Sequence, residues 1–408
     1  MVGSVAPKRT VIFLVQWPVT PFEEKRWGFS ILRQAGFDVK VYDLSRLINA
    51  RAVALYAPPD ALKADYIRKI ESYGELDSMM SIDAPSSVFV DYITGYTDFG
   101  LNLERVFRCI KKNSARYLFV SSGPLPITAS SVGTTARLKR RLLKALNPAS
   151  LADFIVKRAI VKLTRMGVLY PKPYLIFGGE SEPLSGYLRK RGISEGSVVP
   201  VHTFDYDTYL DYVRGSGAGS AKDDTCVFLD EAATHHSDFA ILGISPVQAG
   251  GYYAAMNALF NAIEKNTGLK VVVAAHPKSC YEKEGAVFGG RPLVKGKTLE
   301  LVAKSSLVVA HGSTSVSFAV LFDKPVLFVK TADMSRTGAS AHVDAMAASI
   351  GRSAMTIAPE TVYKKADFDI KPKGDYETYK YKYVKSRSAE EKKVWEIIAG
   401  RLATMNER

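Results

Sequence analysis

Short apolar runs alternate with longer amphipathic stretches along the whole chain. Residues 11–15 (Val-Ile-Phe-Leu-Val) form a run long enough for a buried strand and too short for a helix. Helical spacing follows over residues 22–35, Gly36 stands where a helix would be capped, and residues 38–42 begin the next strand. Strand, helix and strand in this compass fit one βαβ crossover. The same alternation predicts strands at 87–90, 116–120, 174–177 and 198–201, with a helix at 101–112. It resumes with strands at 226–229, 270–275, 307–310 and 325–329, helices at 251–266, 298–304 and 314–322, and a last helix at 389–402. The later strands are apolar without alternation, as in a parallel sheet covered on both faces.

A break falls at Gly215-Ser-Gly-Ala-Gly-Ser220, the richest glycine and serine stretch in the sequence. The predicted organisation is therefore a Rossmann-like domain over 1–214, a linker over 215–224, a second Rossmann-like domain over 225–385 and a C-terminal helix over 386–408. A length of 408 residues suits two domains. With 47% hydrophobic and 24% charged residues, the chain is neither disordered nor collagen-like. No apolar run is long enough to span a bilayer. Residues 1–9 carry Lys8 and Arg9 without a preceding apolar stretch and do not read as a secretory signal. Three scattered cysteines (Cys109, Cys226, Cys280) fit no metal spacing, so a reducing cytoplasm is expected.

Charge changes the picture. The net charge is +14, which favours polyanionic partners. Much of it sits between Thr134 and Pro173: Arg137, Lys139, Arg140, Arg141, Lys144, Lys157, Arg158, Lys162, Arg165 and Lys172, against Asp153 alone. Leucines and other apolar residues recur among these cations at roughly helical spacing. That is the composition of a basic amphipathic insertion lying on an anionic membrane surface; the bland alternative is a surface helix packed on the first domain. Interleaved aromatics and recognised binding modules are missing, so nucleic acid is not an expected partner.

Ligands of open parallel sheets bind beyond the carboxyl ends of the strands. In the second half those positions are polar: Asp230-Glu231, then His276-Pro277-Lys278, then His311-Gly312-Ser313-Thr314-Ser315. The last segment opens a helix, where free N–H groups and hydroxyls suit a phosphate; an ordinary N-cap explains the hydroxyls equally well. His276 and Lys278 could add to such a phosphate site, and His311 could be a further donor or a core histidine. Asp230 or Glu231 supplies a carboxylate to act as base or nucleophile. No metal site is expected. In the first half, Glu180 follows a strand and Asp205 and Asp207 follow the next, as candidates for binding an acceptor. There is no GxGxxG and no P-loop.

An acidic residue after a strand, then His-Pro, then a Ser/Thr pair at a helix start resembles the motif set of bacterial surface-polysaccharide glycosyltransferases of the GT-B class, within the sialyltransferase-like and Kdo-transferase group. The resemblance covers about residues 225–330, and the first half by architecture. It implies two Rossmann-like domains with the C-terminal helix crossing back to the first. It implies a nucleotide-sugar donor, CMP-linked and carrying an ulosonic acid such as Kdo, without a metal cofactor. His276 and the 313–315 hydroxyls would hold the donor phosphate, and an acidic residue would act as base or nucleophile. The acceptor would be a lipid-linked O-antigen or capsule glycan at the cytoplasmic face of the inner membrane. A UDP- or GDP-sugar donor, a CDP-glycerol-type transferase, and a non-catalytic subunit of an assembly complex are the alternatives.

Overall fold

A computed structural model describes residues 9–94, 101–121, 123–126, 159, 162–163, 170–216, 223–235, 246–277, 279, 281, 285–337, 339–369 and 375–405. The chain divides into two compact units, one formed by 1–122, 132–204 and 386–408, the other by 123–131 and 205–385.

The first unit is built on a seven-stranded sheet of β1 (Thr10–Val15), β2 (Asp38–Asp43), β3 (Ile67–Lys69), β4 (Ser87–Tyr92), β5 (Arg116–Val120), β6 (Leu175–Gly178) and β7 (Val198–Pro200). Its order is β3-β2-β1-β4-β5-β6-β7, and every paired neighbour is parallel. Side chains of β1 alternate between two cores, Val11, Phe13 and Val15 on one face and Ile12 and Leu14 on the other. This is why the run is apolar throughout. The stretch expected as one helix over 22–35 is two, Pro21–Arg26 and Phe29–Gln34. Gly28 separates them with a left-handed φ of 61°.

The second unit is a six-stranded sheet of β8 (Thr225–Leu229), β9 (Lys270–Ala275), β10 (Leu293–Lys295), β11 (Leu307–Ala310), β12 (Val326–Thr331) and β13 (Met355–Ile357). Its order is β10-β9-β8-β11-β12-β13, again all parallel. Val227, Leu229, Val308 and Ala310 face one core; Cys226, Phe228, Leu307 and Val309 face the other. In both sheets the strand order reverses beside the first strand, between β1 and β4 and between β8 and β11. Such switch points leave a crevice at the carboxyl edge of a doubly wound sheet.

The last helix, Val394–Ala403, belongs to the first unit. Its Trp395 is buried against Phe13, with ring centroids 5.2 Å apart, and Arg9 Nη1 donates to the Leu402 carbonyl at 3.0 Å. Two doubly wound sheets with a final helix returning to the first are the chain plan expected of the GT-B class. The unit boundary lies at 204/205, upstream of the glycine-rich segment. The helix Phe204–Ser216 places Tyr206 and Leu210 in the second unit's core.

Candidate functional site

The residues that end β8 and β11 meet at the second sheet's switch point. Asp230 directly follows β8 and is buried. Its Oδ1 accepts from the Ala232 N–H at 2.9 Å and from the Tyr281 hydroxyl at 2.8 Å; its Oδ2 accepts from the His276 N–H at 3.0 Å. Burial pushes its carboxyl above the ordinary range against these donors. Asp230 thus ties the β8 end to the β9 end and to Tyr281. Both of its oxygens are committed inside the protein.

Glu231 is the open member of the pair. Its Oε1 accepts from the Gly312 N–H at 2.9 Å, a bond from the end of β8 to the end of β11. Part of its surface is still exposed. Among the described residues nothing donates to its second oxygen. Desolvation raises its pKa to about 7; the Gly312 N–H opposes the shift and the neighbouring Asp230 adds to it. A carboxyl that titrates near neutrality can accept or give a proton at working pH.

His311 lies wholly buried on the same edge. Its Nδ1 donates to the Val329 carbonyl at 2.6 Å, which leaves Nε2 to accept from the Tyr252 hydroxyl at 2.9 Å. Burial lowers its pKa to about 4, so the ring is neutral. The expected role as a phosphate donor needs a ring nitrogen that this arrangement does not leave. His311 is instead a core histidine, packed edge-on to Phe228.

The turn that follows carries the hydroxyls. Ser313 and Ser315 are half-buried and Thr314 is exposed. Ser313 Oγ accepts from the Ser315 N–H at 3.3 Å, and the carbonyls of 313, 314 and 315 accept from 316, 317 and 318. Nothing among the described residues accepts from the N–H groups of Ser313 and Thr314. His276 is half-buried, and its carbonyl accepts from the Ser279 N–H and hydroxyl at 2.9 and 2.7 Å. Lys278 lies outside the described residues.

Three residues at this edge escaped sequence inspection: Tyr252, Tyr281 and His342. His342, on the helix Ala339–Ser349, donates from Nε2 to the Gly312 carbonyl at 2.8 Å. The tyrosines look like ordinary apolar positions of their segments. His342 sits in an alanine-rich helix with no motif around it.

The remaining sequence-derived residues lie elsewhere. Glu180 is exposed just past β6 in the first unit, whereas Asp205 and Asp207 occupy the first turn of the helix Phe204–Ser216 in the second. Of the basic insertion, Lys162 and Lys172 are described and exposed, and Lys172 Nζ donates to the Gly192 carbonyl at 3.1 Å; Arg137, Lys139, Arg140, Arg141, Lys144, Lys157, Arg158 and Arg165 lie outside the described residues. Among the described residues no cluster of His, Cys, Asp or Glu could hold a metal ion, and no helix is long and apolar enough to cross a membrane.

No family model and no curated protein matches the chain. Several solved structures are similar over most of its length. The UDP-GlcNAc 2-epimerase of Methanocaldococcus jannaschii, in complex with UDP-GlcNAc and UDP, is 11% identical, with 97% of this chain and 98% of that one covered and a TM-score of 0.42. The UDP-N-acetylglucosamine 2-epimerase of Rickettsia bellii is 10% identical, covering 97% and 95%, with a TM-score of 0.44. Spinosyn forosaminyltransferase is 13% identical, covering 89% and 88%, with a TM-score of 0.39. Likenesses at this level carry no weight for a shared activity.

Proposed function

We propose that the chain is a glycosyltransferase whose nucleotide-sugar donor binds at the carboxyl edge of the second sheet, with Glu231 as the acid–base group. The observation that carries this reading is the Glu231–Gly312 bond at the switch point, made by a carboxyl with a pKa near 7 and an open second oxygen. As base, Glu231 takes the proton of the acceptor hydroxyl while that oxygen bonds to the anomeric carbon. The bond from that carbon to the donor phosphate oxygen breaks, and the phosphate leaves as an anion. The N–H groups of Ser313 and Thr314 and the adjoining hydroxyls stabilise the developing charge. The more specific proposal is a CMP-linked ulosonic acid such as Kdo, transferred to a lipid-linked surface glycan. It rests on the acidic, His-Pro and Ser/Thr motif set, and the basic insertion would dock the protein at the membrane that carries the acceptor.

Calorimetric titration with CMP, CDP, UDP and GDP tests the donor. CMP should bind, and the double variant Ser313→Ala/Thr314→Ala should weaken binding about tenfold, near the ~1.5 kcal/mol typical of one hydrogen bond to a charged group. Binding of CDP, UDP or GDP in its place would retain a nucleotide-using enzyme and discard the CMP donor. Failure of all four, with and without a glycan acceptor, would point to a non-catalytic subunit.

A further inference from the structure

Gly312 is held from both sides. Its N–H donates to Glu231 Oε1 at 2.9 Å, and its carbonyl accepts from His342 Nε2 at 2.8 Å. The imidazole also lies against its α-carbon: a Cβ there would sit 2.3 Å from His342 Cδ2 and 2.7 Å from Nε2. The φ of Gly312 is not positive, so glycine serves space here, and any side chain would displace the ring. The helix that delivers His342 is firmly seated. Val343, Met346 and Ala347 are buried in the core, and Asp344 pairs with Lys330 at 2.6 Å. One imidazole on a core-packed helix therefore holds the residue that bonds to the open carboxyl.

We propose that His342 is a positioning residue for this site: it holds Gly312 by its carbonyl, keeps the Gly312 N–H on Glu231, and fixes where the 313–315 turn begins. The proposal rests on the acid–base reading of Glu231. The groups facing that carboxyl have separable effects. Burial raises its pKa most; the Gly312 N–H, from the β11 end, lowers it, and Asp230, beside it on the β8 end, adds to the rise. Tyr252, from the helix Ala249–Thr267, and His311 stay neutral and engaged with each other. Where burial is kept, as by a replacement that fills the space of the imidazole, releasing Gly312 should therefore move Glu231 upward.

The test follows Glu231 by carbon NMR of the labelled side-chain carboxyl in the full-length protein, a readout independent of turnover. In His342→Ala the titration midpoint should rise by about half a unit or more, as expected when a carboxylate loses a backbone donor. His342→Gln, whose amide can reach the same carbonyl, should restore most of it. His342→Leu fills the space without a donor and should behave like the alanine variant, which keeps the comparison open should His342→Ala unfold. A midpoint that stays at the wild-type value in both donor-lacking variants would overturn the proposal. If instead the midpoint shifts while Glu231→Gln retains transfer activity, the positioning stands and the acid–base role of Glu231 fails.

Discussion

At the scale of single residues, adjacent carboxyls have opposite fates. Asp230 has three internal donors; Glu231 has one donor and an open oxygen. The sequence offered both as candidates, since adjacency says nothing about which way each side chain points. The same limit applies to His311, whose position after a strand fits an anion site and a core histidine alike. Glu231 also has a consequence for stability. Its folded-state pKa of about 7 lies above its ordinary 4.5, so the folded protein holds this proton more tightly than the unfolded chain does. The stabilisation this proton gives is complete below about 4.5 and lost as pH rises through about 7. The full shift corresponds to roughly 3–4 kcal/mol at about 1.4 kcal/mol per unit, and residual exposure makes that an upper bound. Glu231→Gln should therefore flatten the fall in stability between pH 4.5 and 7 and gain relative to wild type at pH 8. Urea unfolding at several pH values measures this; parallel wild-type and variant curves would show that burial does not raise the Glu231 pKa.

At the scale of elements, the final helix completes the first unit's core. Trp395 packs against Phe13, and its side chain lies where Gly28 would carry a Cβ, 2.4 Å from Trp395 Cβ and Cγ. Gly28 adopts φ 61° between two short helices. Trp395→Ala should cost about 3–5 kcal/mol, as large-to-small changes of buried aromatics do. Gly28→Ala should destabilise as well, because it combines a clash with an unfavourable backbone conformation. Denaturant midpoints check both, and a loss below about 1 kcal/mol for Trp395→Ala would mean that the helix is not integral to the core. The long apolar strands of both sheets were legible because two-sided burial leaves them continuously hydrophobic. The short strands Ile67–Lys69, Leu293–Lys295 and Met355–Ile357 were not. Each has three residues, with too little apolar character to stand out from a loop. The break at Gly28 was hidden in the same way, since both short helices lie on one continuous periodic pattern.

At the scale of the whole molecule, strand order makes the candidate site, because the reversal between β8 and β11 brings residues 81 positions apart into hydrogen-bonding contact. Alternation of elements predicted two doubly wound halves, whereas the order of strands within a sheet leaves no local trace in composition. The charge distribution is a second molecular property, and it was readable directly. The surplus is concentrated between residues 134 and 173, so the proposed attraction to an anionic bilayer should be local, at about 1 kcal/mol per cation held near the surface. It should also be screened strongly above about 0.1 M salt, where the Debye length falls below ~10 Å. Full-length protein should float with phosphatidylserine-containing vesicles at low salt and be released at high salt. Replacing Arg137, Lys139, Arg140, Arg141 and Lys144 with glutamine should abolish flotation while leaving CMP binding in place, because the proposed donor site is built from Glu231 and the turn at 312–315. Flotation that persists in the variant would place the membrane contact elsewhere on the basic surface, and joint loss of flotation and CMP binding would make the segment part of the donor site.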